Sequence, residues 1–262
     1  TNIDLPYEYS GTIPSKELKK RLANMGGITQ EAGEAYYVGD QILFAIGQGL
    51  LSVTPLQMTL AYSAIANSGR VYEPRVAVSL LAPGTLDARP GFADFTTTQV
   101  VKNLAPISPK RRIDMTERIR EPIVKGMARA ITGPGVTFDY YHKTTGENLF
   151  SNYNYAALPI AGKTGTAQGF NNLPWNDSSA FGAFSLDSNH PYTVYAYLEK
   201  SGYGSQAAAP VVKCIFTALN GGYKYDTVLP ADPLDKASNI VALPVRLRNP
   251  LCLVSGASDI RE

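Results

Sequence analysis

The chain has 262 residues, a hydrophobic fraction of 44% and a charged fraction of 18%, which is typical of a globular protein and excludes an extensively disordered one. The net charge of +2 at pH 7 gives no electrostatic reason to expect nucleic acid or an anionic membrane surface as a partner. The longest apolar runs are far shorter than a membrane span, and the chain begins at Thr1 without a Met or a signal-like segment. We therefore expect an internal start within a longer polypeptide.

The first part of the chain carries signals for two helices. A short helix is predicted at 15–24, with Ser15 as its N-cap. A clearer helix follows Thr54, because Pro55 stands at the favoured first helical position and Gln57 completes a capping box. The residues of its predicted apolar face are Leu56, Leu60, Ala61, Ala64 and Ile65.

A possible strand at 75–81 is followed by a segment rich in Pro, Gly, Asp and Thr at 82–98, which is typical of a surface excursion. A long helix is then predicted at 116–132. The four residues of its predicted buried stripe are Ile119, Ile123, Met127 and Ile131. Residues 139–157 are polar and aromatic without a helical period, and we interpret them as a loop.

Beyond Pro159 the pattern changes to strands, predicted at 160–168, 179–186 and 192–199. The turn-rich link 187–191 predicts an antiparallel hairpin between the last two strands. A final helix is predicted to open at Pro210. Its expected apolar face consists of Val211, Val212, Ile215, Phe216 and Leu219.

This order of elements favours an α+β fold in which helices flank an antiparallel sheet. We assign residues 1–225 to one domain and residues 226–262, which are Pro-rich and weakly patterned, to a C-terminal tail.

The two cysteines, Cys214 and Cys252, are too few for a disulfide framework and belong to no CxxC motif. The apolar helical pattern around Cys214 favours a buried free thiol, and a disulfide with Cys252 is the alternative. The only histidines, His142 and His190, lie in polar segments, where surface positions are expected. We expect neither a metal site nor a cofactor.

The informative motif is Lys163-Thr164-Gly165-Thr166 within the first predicted strand. Side chains alternate between the two faces of a strand, so Thr164 and Thr166 share one face and Lys163 starts from the other. Two hydroxyls on one face, about 7 Å apart, can hold a carboxylate between them. Gly165 has no side chain and leaves room for a ligand backbone, while Lys163 supplies a positive charge behind the site.

Residues 162–168 resemble the KTG box of penicillin-binding proteins and serine β-lactamases, and the Lys-Thr-Gly-Thr-Ala-Gln form is similar to that of the class B penicillin-binding proteins. Two further stretches resemble the same family in the same order, Gly47-Gln48-Gly49 and the Thr54-Pro55-Leu56-Gln57 helix start. We read the first of them as a backbone turn near the cleft. The segment 202–206, with Tyr203, is expected at the mouth of the cleft.

The resemblance implies a peptidoglycan D,D-transpeptidase, in which a serine attacks the D-Ala-D-Ala carbonyl of a stem peptide and the acyl group passes to a neighbouring stem. By the same resemblance, Lys163 stabilises the substrate carboxylate and the proton network, and Thr164 and Thr166 bind that carboxylate. The resemblance also implies that the N–H of Thr166 is one oxyanion-hole donor. Gly165 and Gln168 complete the substrate-binding set, and β-lactams acylate the same serine.

One departure from the family pattern concerns the nucleophile. No Ser-x-x-Lys and no Ser-x-Asn occurs in the 262 residues, although the family needs both boxes before its KTG strand. We expect the upstream part of the same domain to carry them, so that the penicillin-binding fold is incomplete in this chain and the chain alone is inactive.

The implied setting is the outer face of the cytoplasmic membrane, with an anchor upstream and a membrane glycosyltransferase as partner in cell elongation or division. Two alternatives stay open. A non-catalytic penicillin-binding sensor or scaffold of the cell-wall machinery would lack Ser-x-x-Lys upstream. A β-lactamase would deacylate quickly, whereas a transpeptidase stays acylated for long times.

Overall fold

A computed structural model describes residues 1–77, 79–81, 100–104, 107–133, 149–151, 153–169 and 177–220. The predicted excursion 82–98, the tail 226–262, His142 and most of the predicted loop 139–157 therefore lie outside the described residues. The helices within the described part are α1 (Lys16–Asn24), α2 (Gln30–Gly33), α3 (Val38–Ala45), α4 (Pro55–Ala66), α5 (Glu117–Thr132) and α6 (Ala208–Leu219). None of these described helices has both the length and the apolar character that crossing a bilayer requires.

The strands of the same part form three sheets. Their bounds are β1 (Arg70–Val71), β2 (Ser79–Leu81), β3 (Val100–Asn103), β4 (Arg111–Arg112), β5 (Ile160–Ala167), β6 (Ser178–Ser185) and β7 (Thr193–Leu198). The main sheet has the order β5-β6-β7 and is antiparallel throughout, while β1 pairs with β4 and β2 pairs with β3. The three predicted strands, the hairpin and the α+β class are confirmed.

The predicted strand at 75–81 is wrong in its first half. The carboxylate of Asp4 accepts hydrogen bonds from the backbone N–H groups of Val76 (2.7 Å) and Ala77 (2.9 Å). These bonds occupy backbone donors that a neighbouring strand would otherwise use. Of the described residues in this predicted strand, only Ser79–Leu81 pairs as a strand, and its partner is β3.

The main sheet is covered by helices on both faces. On one face, Ile160 and Phe181 pack with Val212 and Phe216 of α6, and all four are fully buried. On the other face, Ala161 and Phe184 pack with Met127 of α5, and residues of α4 close over them. The two clusters are Ile131, Leu149, Phe150, Tyr153, Leu158, Ile160, Phe181, Ala183, Ala208, Ala209, Val212 and Phe216 on the first face, and Met127, Ala161 and Phe184 on the second.

The predicted apolar faces are only partly buried. Met127 and Ile131 of α5 lie in the core as expected, but Ile119 and Ile123 are 52% and 40% exposed. Hydrophobic periodicity identifies the face of a helix, whereas burial depends on whether another element reaches that part of the helix. The same correction applies to other members of the predicted faces, namely Ala61 in α4 and Val211, Ile215 and Leu219 in α6.

The expectation of a buried free thiol at Cys214 is wrong. Cys214 is disulfide-bonded and only half-buried, and it does not belong to the core cluster that Val212 and Phe216 of α6 form with the sheet. Cys252 lies outside the described residues.

The start of α4 depends on the predicted capping box. Thr54 Oγ1 accepts a hydrogen bond from the N–H of Gln57 (3.2 Å), and Gln57 Oε1 accepts one from the N–H of Thr54 (2.8 Å). Both donors would otherwise be unpaired at the helix terminus. The cap fixes the point at which the chain turns from the preceding loop into α4.

Replacing Thr54 with alanine is expected to lower the free energy of unfolding by about 1 kcal/mol, since this is the usual value of an N-cap side chain. Urea denaturation followed by circular dichroism measures the change. Thr59→Ala, within the same helix, is the matched control, because its hydroxyl bonds only the carbonyl of Pro55 and alanine is the better helix former. Equal destabilisation by both substitutions would contradict the capping role.

Candidate active site

The motif strand β5 lies at the edge of the main sheet. Its pairing with β6 sets Lys163 opposite Gly182 and Thr166 opposite Ser179, and β6 separates it from β7. Within the described residues β5 therefore has one strand neighbour. Its other edge presents backbone N–H and C=O groups that a bound peptide can meet.

The backbone of Thr166 faces this open edge. The side chain of Gln48 donates a hydrogen bond from Nε2 to the carbonyl oxygen of Thr166 at 3.2 Å, so this carbonyl points away from β6. In an antiparallel ladder a residue turns its N–H and its C=O to the same side. The N–H of Thr166 consequently points to the open edge as well, the position expected for an oxyanion-hole donor.

Lys163 reaches the open edge from the opposite face of the strand. Its side chain is exposed, and its ammonium group donates a hydrogen bond to the carbonyl of Thr164 at 2.8 Å, with the Thr164 hydroxyl at 3.4 Å. The side chain thus bends around the strand edge. The positive charge lies beside Thr164, close to the groups that were expected to hold a carboxylate.

The remaining predicted site residues follow the strand. Thr166 is exposed, and its hydroxyl accepts a hydrogen bond from the N–H of Gly204 at 3.3 Å, which places the segment 202–206 alongside β5 as expected for the cleft mouth. Tyr203 is 60% exposed. Gln168 is exposed and comes directly after the last residue of β5.

The turn Gly47-Gln48-Gly49 lies beside the strand as predicted. Both glycines have φ of +75°, a conformation that residues with a side chain rarely adopt. This double turn carries the chain from α3 back towards α4 and aims the side chain of Gln48 at β5. The sequence pattern placed this turn near the cleft, but it did not reveal the contact with Thr166.

A partly buried ion pair holds the helix that leads into this turn. Lys19 of α1 is only 4% exposed, and its Nζ lies 2.6 Å from Oδ2 of Asp40 in α3. The hydrogen bond from Lys19 and a second from the N–H of Tyr37 hold the pKa of Asp40 below its usual value. The two charged residues are 21 positions apart, and no sequence signal identified them as partners.

Aromatic rings pack the sheet face from which Lys163 extends. The ring of Tyr62 covers Gly182, where an added Cβ would come within 2.5 Å of the phenol carbon Cζ. Burial raises the pKa of Tyr62 to about 12, and it also raises the pKa of Tyr195 beside it. Both phenols stay neutral at physiological pH, so they add no negative charge on this face to neutralise Lys163.

A cavity of about 730 Å³ lies elsewhere, between the N-terminal segment, α4 and the β1-β4 pair. It is mostly apolar, and none of residues 163–168 lines it. The strand edge, where a charge, hydroxyl groups and a backbone donor converge, is therefore the better candidate for acyl-transfer chemistry.

Residues 1–217 match the family model described as the penicillin binding protein transpeptidase domain. A similar protein is the peptidoglycan D,D-transpeptidase MrdA of Salmonella typhimurium strain SL1344, which is 29% identical over 231 residues. That match covers 84% of this chain and 32% of the relative. The chain thus spans about a third of the length of this relative.

The chain is also similar to a second relative and to a solved structure. The stage V sporulation protein D of Bacillus subtilis strain 168 is 28% identical over 182 residues, which cover 66% of this chain and 23% of that protein. The crystal structure of Pseudomonas aeruginosa PBP2 in complex with WCK 5153 superposes with a TM-score of 0.51 at 26% identity. It covers 82% of this chain and 38% of that one, in agreement with the expected penicillin-binding fold.

Proposed function

Because this chain belongs to the penicillin-binding protein transpeptidase domain family, we propose that it forms the lysine–threonine side of the active site of a serine-type peptidoglycan D,D-transpeptidase. The observation that carries the proposal is the convergence at one strand edge of the Lys163 ammonium group and the outward-facing backbone of Thr166. A positive charge and a backbone donor side by side suit a substrate that brings a carboxylate next to a reacting carbonyl.

The acyl donor is a stem peptide that ends in D-Ala-D-Ala. Its terminal carboxylate binds between the hydroxyls of Thr164 and Thr166, and the ammonium group of Lys163 balances the negative charge. The scissile carbonyl then lies at the strand edge. There the N–H of Thr166 stabilises the oxyanion that forms when the serine attacks.

The reaction is an acyl transfer in two steps. The serine oxygen forms an ester with the carbonyl carbon, and the peptide bond to the terminal D-Ala breaks, so that this residue leaves as a free amino acid. An amine of a second stem peptide then attacks the ester, and the serine is regenerated as the cross-link forms. A β-lactam enters the same first step, and its opened ring stays attached to the serine.

The absence of a side chain at Gly165 fits this picture. Among the described residues, a Cβ there would meet only the Cβ of Ala180, at 3.4 Å, so this part of the protein does not by itself demand glycine. At Gly162, by contrast, a Cβ would come within 2.7 Å of the ring of Phe181. We therefore attribute the glycine at 165 to the close approach of a ligand backbone. Gln168, exposed at the end of the strand, extends the same binding surface.

The nucleophile is proposed to lie in a segment before Thr1 in the complete polypeptide. The 262 residues contain neither Ser-x-x-Lys nor Ser-x-Asn, and the chain spans about a third of the MrdA relative. By likeness to that peptidoglycan transpeptidase, we place the complete protein in cell-wall synthesis at the membrane, with stem peptides as substrates and a glycosyltransferase as partner.

Labelling with a fluorescent penicillin tests this proposal. The complete polypeptide is expected to be labelled stably, with one penicillin bound per polypeptide. Peptide mapping by mass spectrometry should find the acyl group on a serine outside residues 1–262. The 262-residue chain alone should stay unlabelled. A label on a serine within the chain, or no label on the complete polypeptide, would contradict the proposal, and rapid loss of the label would indicate a β-lactamase.

A further inference from the structure

Ser179 is a fully buried polar residue of the central strand β6. It pairs with Thr166 of β5 on one side and with Leu198 of β7 on the other. Residues opposite each other in an antiparallel pair point to the same face, so Ser179 shares its face with the hydroxyl of Thr166. A hydroxyl buried this deeply is stable only when its hydrogen-bonding groups are paired.

The hydroxyl of Ser179 is paired both as donor and as acceptor. It donates to the carbonyl of Tyr203 at 2.9 Å and accepts from the N–H of Ala208 at 2.9 Å. Ala208 is the first residue of α6, and its N-cap residue Ala207 has no side chain that can cap the helix. Ser179 therefore supplies, from a neighbouring strand, the capping oxygen that the helix lacks in its own sequence.

These two bonds hold the segment 203–208 against β6, directly beside the motif strand β5. Gly204, within this segment, lies so close that an added Cβ would come within 2.6 Å of the carbonyl oxygens of both Gly165 and Ala180. From this position its N–H donates to the hydroxyl of Thr166 at 3.3 Å. A shift of the segment would lengthen or break that bond.

The bond from Gly204 determines what the Thr166 hydroxyl can do. A hydroxyl has one hydrogen and two lone pairs. When Gly204 occupies a lone pair, the hydrogen is free to point in another direction, towards the carboxylate of a ligand. The hydroxyl is then preorganised as a donor, and less orientational freedom is lost on binding.

We propose that Ser179 is a positioning residue for carboxylate recognition, which anchors the segment 203–208 so that Gly204 orients the Thr166 hydroxyl as a donor to the ligand. This inference rests on the proposed function, since it assumes that Thr166 binds the carboxylate of a stem peptide or a β-lactam. Ser179 itself acts through other residues and does not touch the ligand.

The test compares two penicillins on the complete polypeptide, one with its free carboxylate and one with that carboxylate as a methyl ester. Ser179→Ala is expected to lower the second-order rate constant for acylation by the free acid about tenfold, which is the usual scale of one hydrogen bond to a charged group. The much slower reaction with the ester should change less than twofold, because the ester presents no carboxylate for an oriented hydroxyl.

Ser185→Ala is the matched control. Ser185 is a second buried serine of β6, but its hydroxyl bonds only the backbone of Asp187 in the hairpin turn. This variant should leave the ratio of the two rate constants unchanged. Ser179→Cys keeps a weak donor and acceptor of similar size and should fall between serine and alanine, so it serves as the test variant if the alanine protein does not fold.

The outcomes separate this inference from the proposed function. If the wild-type polypeptide is not acylated at all, both proposals fall. If it is acylated, but the Ser179 variants lower the acylation rate constant equally for the acid and the ester or do not lower it at all, only the positioning role is contradicted. Hydrogen exchange gives an independent readout: Ser179→Ala should speed exchange in peptides covering residues 203–208, and unchanged exchange there would overturn the anchoring step.

Discussion

Lys163→Ala is expected to lower the rate constant for penicillin acylation of the complete polypeptide by on the order of 100-fold or more. Removing one preorganised electrostatic group from an acyl-transfer site has an effect of this size. The ammonium group is at the open strand edge, held 2.8 Å from the carbonyl of Thr164. The alanine variant removes the charge that we propose attracts the substrate carboxylate, and it keeps the strand backbone. Time courses of labelling with fluorescent penicillin give the rate constant.

Two further variants make this result specific to the position of the charge. Lys163→Arg keeps a positive charge but places it on a planar, larger group, and it should recover only part of the rate. Lys125→Ala is the control, because it removes a lysine whose exposed ion pair with Glu121 lies on α5. Surface ion pairs of this kind contribute little to stability. Undiminished labelling of the Lys163→Ala protein would remove this residue from the site.

The elements that could be predicted from the sequence are those whose cause is local. The capping box of α4 is completed within four residues, from Thr54 to Gln57, and the alternation in β5, β6 and β7 needs only the character of each strand. The Lys163-Thr164-Gly165-Thr166 motif is local as well. For these features, the residues that determine the structure are close together in the sequence.

The contacts that shape the site join distant parts of the chain and could not be predicted in this way. Gln48 and the carbonyl of Thr166 are 118 positions apart, and Ser179 and the N–H of Ala208 are 29 apart. Each bond depends on how the turn, the sheet and the helix pack together. A serine in a strand pattern gives no sign that it caps a helix from another element, because any serine in that strand has the same local propensity.

The burial of helix residues could not be predicted for a similar reason. Ile119 and Ile123 have the spacing of a buried helix face, yet both are substantially exposed. The apolar stripe shows where α5 can pack, and only its second half meets the sheet among the described residues, through Met127 and Ile131. Periodicity is a property of one helix, whereas burial is a property of the helix and its neighbours together.

Phe181→Ala is expected to lower the free energy of unfolding by about 3–5 kcal/mol, the usual range for deleting a buried aromatic side chain. Phe181 is fully buried in the centre of β6. Its ring lies 6.2 Å from the ring of Phe150 and occupies the space where a side chain at Gly162 would be. The substitution therefore removes a ring from a packed interior and leaves a cavity. Equilibrium denaturation in urea, followed by circular dichroism, measures the loss.

The matched control is Tyr197→Ala, which deletes an aromatic ring from the neighbouring strand β7. Tyr197 is 40% exposed, so less apolar surface returns to water and no closed cavity forms. A loss from Phe181→Ala no greater than that from Tyr197→Ala would contradict the central place of this ring in the core.

Because Phe181 pairs with Thr164 and fills the space at Gly162, the cavity also lies directly beneath the motif strand. Penicillin acylation of the complete polypeptide should consequently fall in the Phe181 variant before the protein unfolds, since the strand edge is rigid only while its inner face stays packed.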